Sequence, residues 1–297
     1  MNDAGKLDAL FREAVAAIDA GDIAAVERLT RDHPRLVRER LTSPGPWLRD
    51  KVGGALKGFF KKPYLLWFVA EDPVRNDTLP KNIAQVTQAI IAAAKRENVR
   101  TLQEQLDYAL KLVAWSWVAD RCGVQLQLID TLIDAGASAQ GVPESALVNG
   151  HAAAAERLIQ RGADGTLATA LYLGRWQDAE RLAPSIDTRE KQMVLSLLAL
   201  RGKSEALVRL LRIGGVDISA PSKDLYAHAT PLHHAVCSGS LDTVKVLVDA
   251  GASLQARDTA HGATPLGWAE HYVEEHAGKE SSQRFTQIAQ YLRARTT

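Results

Sequence analysis

Ala229-Thr230-Pro231-Leu232-His233-His234-Ala235 returns thirty-four residues later as Ala263-Thr264-Pro265-Leu266-Gly267-Trp268-Ala269. Between the two copies runs Gly239-Ser240-Leu241-Asp242-Thr243-Val244-Lys245-Val246-Leu247-Val248-Asp249-Ala250-Gly251-Ala252-Ser253. A period of about 33 residues, spent as turn, helix, tight turn and helix, marks a stacked array in which each unit buries its apolar face against its neighbours. The residue types explain the pattern. Thr230 precedes Pro231, whose missing N–H is harmless in a first helical turn, so a helix starts there. Small Ala235 and the short span to Gly239 let that helix lie close to the next one. In the second helix Leu241, Val244, Leu247 and Val248 recur at i, i+3, i+6 and i+7 as an apolar stripe. Gly251 then ends it as a left-handed cap.

In order and position these segments resemble the ankyrin family. The resemblance implies an all-α solenoid of helix-turn-helix repeats, and it gives His233 the place of the turn histidine, hydrogen-bonded alongside Thr230. Degenerate copies of the second helix occur at 127–137, 154–164, 179–182, 205–217 and 20–29. Helix-ending glycines at Gly136, Gly162, Gly214 and Gly251 leave gaps of 26, 52 and 37 residues, so the middle gap must hold two repeats. About eight repeats are expected over 7–296, in a single domain spanning 1–297. Its parts are an N-terminal capping repeat over 1–41, an inserted basic amphipathic helix within 42–62, degenerate repeats over 63–225, and consensus-like and C-terminal capping repeats over 226–297. A stack takes extra length only in its loops. The resemblance is strongest over 226–270, thinner over 120–217 and faintest before 100. There Tyr64-Leu65-Leu66-Trp67-Phe68-Val69-Ala70 occupies the turn's place without its Thr, Pro or His.

Composition is that of an ordinary globular chain, with a net charge of +1, which disfavours nucleic acid as an obligatory partner. No uninterrupted apolar run approaches a membrane-spanning length, and Asp3, Lys6, Asp8, Arg12 and Glu13 break up any leader-like start. Cys122 and Cys237 lie far apart in different repeats without metal-site neighbours, and read as reduced small core residues of a cytoplasmic protein.

One stretch departs from neutrality. Residues 31–62 hold nine bases against Asp32, Glu39 and Asp50, a local net of +6. Within it Leu48, Val52, Ala55, Leu56 and Phe59 share one helical face, flanked by Trp47 and Phe60. Lys51, Lys57, Lys61 and Lys62 are candidate binding residues here. The segment reads either as a helix packed on the first repeats with wet lysines, or as a protein-docking element, or as a helix lying on an anionic membrane or nucleic acid.

Signals for chemistry are sparse. His271, Glu274, Glu275 and His276 invite comparison with zinc helices, but the two histidines stand five apart and point about 140° away from each other on a helix. A solvated face is the expectation, with no metal and no cofactor. His228, His233 and His234 form a second cluster, explained by the turn histidine and surface placement. No phosphate-binding glycine loop or nucleophile motif is present, so the chain is read as non-enzymatic.

What remains is recognition of another protein by a monomeric scaffold, inhibitor or immunity-type binder. The alternatives are a membrane- or nucleic-acid-associated regulator using 47–62, and an enzyme on a helical stack. By the resemblance, positions after the turn histidine and near the ends of first helices line a concave face. Carried onto this chain they are Phe68, Trp115, Tyr172, His234 and Trp268, with His234 and Trp268 expected at the surface as anchors. Trp67, Trp115 and Trp117 read instead as fillers of space left by missing consensus residues.

Overall fold

The computed structural model describes residues 3–296, and among them there is no strand. The chain divides into two units, Met1–Asp164 and Gly165–Thr297. In the first, α1 (Asp3–Ala20), α2 (Ile23–Asp32), α3 (Arg35–Arg38) and α4 (Pro46–Val52) precede a 3-10 segment, Leu65–Ala70. Then come α5 (Ile83–Arg96), α6 (Leu102–Trp115), α7 (Trp117–Arg121), α8 (Gln125–Ala135), α9 (Val142–Val148) and α10 (Ala152–Gln160). Four pairs result: α1 with α2, the 3-10 segment with α5, α6 with α8, and α9 with α10. Their first members pack in succession as one layer, and α2, α5, α8 and α10 pack in succession as the other.

The second unit repeats this plan with α11 (Leu167–Tyr172), α12 (Trp176–Leu182), α13 (Thr188–Leu200), α14 (Ser204–Ile213), α15 (Pro231–Ser238), α16 (Leu241–Asp249), α17 (Pro265–Glu275) and α18 (Ser282–Thr296). Its first-helix layer is α11, α13, α15 and α17; α14, α16 and α18 stack behind it. The eight expected repeats are thus present as four helix pairs in each unit.

Local chemistry sets these elements. In α15 and α16, Val236, Val244 and Leu247 are fully buried between the layers, and each such side chain contributes about 1.5–3 kcal/mol over its exposed form. Ser240 caps α16 by accepting the Thr243 N–H at 3.3 Å. Gly251, at φ +94°, takes the left-handed turn that ends it. Irregular loops are tied down by long polar side chains. Gln140 donates to the Gly162 carbonyl at 3.1 Å and accepts from the Asp164 N–H at 3.0 Å, and Gln192 donates to the Asp217 and Ala220 carbonyls while accepting from the Asp217 N–H.

The inserted helix is shorter than the apolar spacing suggests. α4 stops at Val52, before Gly53-Gly54, and only a 3-10 turn, Ala55–Lys57, follows. Two consecutive glycines cost helix stability and supply no side chain to pack. Leu48 and Val52 are buried, whereas Phe59 is 43% exposed, so the stripe is split between core and solvent. Trp47 clamps the insertion to α1 by donating from Nε1 to Asp8 Oδ1 at 2.8 Å.

A buried ionic knot fixes the loop after the 3-10 segment. The Arg75 guanidinium, 3% exposed, meets Glu71 at 2.7 Å and Asp19 at 2.9 Å. Glu71 Oε1 also accepts the backbone N–H groups of Arg75 at 2.7 Å, of Asn76, and of Asp77 at 3.1 Å.

Candidate binding surfaces

In the second unit, three successive first helices carry side chains onto one groove. The end of α13 gives Leu200 and Arg201, α15 gives His234, Cys237 and Ser238, and α17 gives Trp268 and Tyr272; Tyr226 and His228 arrive from the loop before α15. Spacings of i, i+3 and i+4 on α15 and of i, i+4 on α17 put each set on a single face. The groove encloses about 490 Å³. Trp268 also walls a second cavity of about 400 Å³, shared with His228, His261, Ala263, Gly267, His271 and Tyr272.

Trp268 is held rigidly. Its Nε1 donates to Asp258 Oδ2 at 3.0 Å, and its ring stands edge-on to His233 at 5.1 Å. Asp258 is buried and organises its loop by accepting the N–H groups of Ala260 at 2.8 Å, His261 at 2.6 Å and Ala263 at 2.9 Å. Burial pushes its carboxyl up, but these backbone donors and the Trp268 indole outweigh that and hold it far below the usual carboxylate range.

His233 is the turn histidine. Its Nδ1 accepts the Thr230 N–H at 3.3 Å and meets Thr230 Oγ1 at 2.8 Å, while Nε2 faces the Ala263 carbonyl at 3.0 Å. A carbonyl only accepts, so Nε2 carries the proton. Burial depresses its basicity. His234 is 2% exposed with a partnerless Nε2, and burial, with His228 and His233 nearby, pulls its pKa down to about 4. Burial, followed by a hydrogen bond to Cys237 Sγ at 3.3 Å, drives the Tyr272 hydroxyl upward.

The residues expected on the concave face divide accordingly. Trp268 is half-buried, and His234 lines the groove as a buried residue, not as an exposed anchor, with the Tyr226 ring centroid 6.1 Å away. Tyr172 is also buried, with the Lys203 ammonium 4.2 Å from its ring centroid. Phe68 is 1% exposed, surrounded by Phe11, Trp47 and Phe60. Without Thr and Pro its segment forms a 3-10 turn, and the insertion folds over it. Trp115 is half-buried, its ring edge-on to Tyr108 and Phe59. Trp67 fills the core at 5% exposure, but Trp117, expected to do likewise, is 48% exposed under the Arg121 guanidinium. Lys51, Lys57, Lys61 and Lys62 are exposed. Lys51 donates to Asn76 Oδ1 at 2.6 Å.

His271 and Glu275 form an exposed pair at 3.9 Å, and His276 bonds Ser281 Oγ at 2.6 Å. No cluster of three metal-ligating side chains occurs among the described residues. Cys122 and Cys237 are free and half-buried rather than core residues. No described helix is long and apolar enough to cross a membrane. Tyr226, Tyr272, Arg201 and Asp258 escaped the sequence reading. Asp258 had a signal: thirty-four residues earlier stands Asp224, also after a base, although that copy is exposed and pairs with Arg189 at 2.6 Å.

A family model described as ankyrin repeats in three copies matches residues 118–258 and 195–277, together more than half of the chain. The chain belongs to the ankyrin-repeat family, whose members are in general protein–protein interaction modules. Among solved structures it is similar to the human ASB11 ankyrin repeat domain, at 18% identity over 69% of this chain and 92% of that one, with a TM-score of 0.32. No curated protein matches.

Proposed function

We propose that this chain is a non-enzymatic protein-binding module, working as a monomer in the cytoplasm, that takes its partner on the first-helix face of the second unit. One observation carries the reading: Tyr226, His228, His234, Trp268 and Tyr272 converge from separate repeats on a single groove, and Tyr226 is left 51% exposed at its mouth. Trp268 and Tyr272, fixed by hydrogen bonds to Asp258 and Cys237, lose little freedom when a partner side chain enters, which favours tight recognition. With Arg201 also lining it, the groove suits an aromatic or long aliphatic anchor carrying a polar end. Scaffold, inhibitor and immunity-type roles all use such a surface.

A photo-crosslinking amino acid at Tyr226, compared with one at exposed Gln290 on α18, tests this directly. The reading expects one protein to be trapped stoichiometrically from position 226 and not from 290. Equal trapping at both positions, or none at 226, sinks it.

A further inference from the structure

The basic stretch of the first unit resolves into two kinds of cation. Arg35 pairs with Asp3 at 2.6 Å and Glu39 at 2.7 Å, Arg38 with Glu97 at 2.7 Å, and Arg40 with Glu104. Among the described residues Arg49, Lys57, Lys61 and Lys62 meet no carboxylate, and all four are exposed. Asp50 is the one acid within 42–62. Lys51 also meets no carboxylate, and among the described bases of 31–62 left without one, only exposed Arg31 on α2 lies outside the insertion, so most of the unpaired positive charge sits there.

The same segment presents an aromatic ring to water in a fixed pose. Phe59 is 43% exposed, its ring edge-on to Trp115 at 6.1 Å and 74°. Its carbonyl accepts the Tyr108 hydroxyl. Phe60, next in the chain, is buried at 1% with its ring 5.2 Å from Phe68. Held by its own carbonyl and by buried Phe60, Phe59 stays outside, beside half-buried Trp115.

We propose that the insertion docks an acidic segment of a partner protein, with an apolar side chain of that segment on Phe59 and Trp115 and its carboxylates among Arg49, Lys57, Lys61 and Lys62. Charge complementarity selects this occupant. A bilayer is a poorer fit, because Leu48 and Val52, the residues a surface-lying helix would insert, are already buried in the unit. This surface shares no residue with the groove of the second unit, and the proposal stands or falls independently of it.

A random dodecapeptide display library selected on the full chain tests the proposal, with individual peptides then measured by fluorescence anisotropy. Enriched peptides are expected to be net acidic with a large apolar residue. Their affinity should fall about tenfold or more in the Lys57→Glu/Lys61→Glu/Lys62→Glu chain, and severalfold in Phe59→Ala. On the wild-type chain alone, affinity should fall steeply between about 50 and 300 mM salt, since exposed charges are screened at these ionic strengths. Selection without acidic bias, binding unchanged by either variant, or salt-independent affinity overturns the proposal. So does tighter, charge-variant-sensitive binding to phosphatidylserine vesicles or oligothymidylate than to any selected peptide.

Discussion

Replacing His234 by Leu should remove most of the acid sensitivity of the α15–α16 repeat. The imidazole is 2% exposed, its Nε2 has no partner, and its pKa lies at about 4 against an unfolded value of 6.5. Below the unfolded pKa the unfolded chain binds a proton that the folded chain refuses, so stability falls as pH drops from 6.5 toward 4 and is fully present above 6.5. A separation of about 2.5 pKa units corresponds to a ceiling of about 3 kcal/mol, roughly three-quarters of it lost by pH ~4.5. His233, depressed by the same burial, contributes in the same direction and remains in the variant.

Leu is close in volume and leaves no unsatisfied nitrogen, so at pH ~7.5 His234→Leu should be neutral or stabilising. Because repeat arrays open locally, the assay is native-state hydrogen exchange at the Val236 and Leu247 amides, at pH ~7.5 and ~4.5. The wild type should lose on the order of 2–3 kcal/mol more protection than His234→Leu between these conditions. Parallel losses in the two chains, or a flat wild-type profile, would refute the claim that a buried neutral imidazole underlies the effect.

Three further perturbations probe other parts of the fold. Arg75→Met leaves Glu71 and Asp19 without their counter-ion and should cost about 3 kcal/mol or more in urea unfolding of the full chain; a loss below about 1 kcal/mol would show the ionic knot to be incidental. Asp258→Asn keeps one acceptor oxygen but turns an NH2 toward two donors, either the Ala260 and His261 N–H groups or the Ala263 N–H and the Trp268 indole, and should cost about 1–3 kcal/mol with a shift in Trp268 emission, an unchanged spectrum and midpoint counting against it. His233→Ala breaks the links to Thr230 and Ala263 and should destabilise by about 1 kcal/mol or more while leaving the Tyr226 crosslinking pattern unchanged, whereas lost crosslinking at full stability would make His233 a binding residue.

The residues that made the consensus-like pair legible act locally. Thr230 and Pro231 begin a helix, Ser240 caps the next, and Gly251 ends it, each through its own backbone preference, whatever packs nearby. Repeat count followed because glycine caps recur even where the apolar pattern has decayed. Exposure did not follow, since it depends on how loops outside the repeat pattern pack against it. His234 is buried with the Tyr226 ring of the preceding loop 6.1 Å away, and Phe68 is buried with Trp47 and Phe60 of the insertion around it. The length of the inserted helix was misjudged for a simpler reason: its apolar spacing continues across Gly53-Gly54, where helical hydrogen bonding does not.

The central claim is that partner recognition resides in the groove of the second unit. The most direct measurement is calorimetric affinity of the crosslinked partner, once purified, for the wild-type chain and for Tyr226→Ala/His228→Ala, which alters the groove mouth while sparing the buried network of His233, Asp258 and Trp268. The account predicts a loss of about 2 kcal/mol or more, roughly thirtyfold in Kd, with the melting temperature unchanged. An affinity equal to wild type in the folded double variant would contradict it.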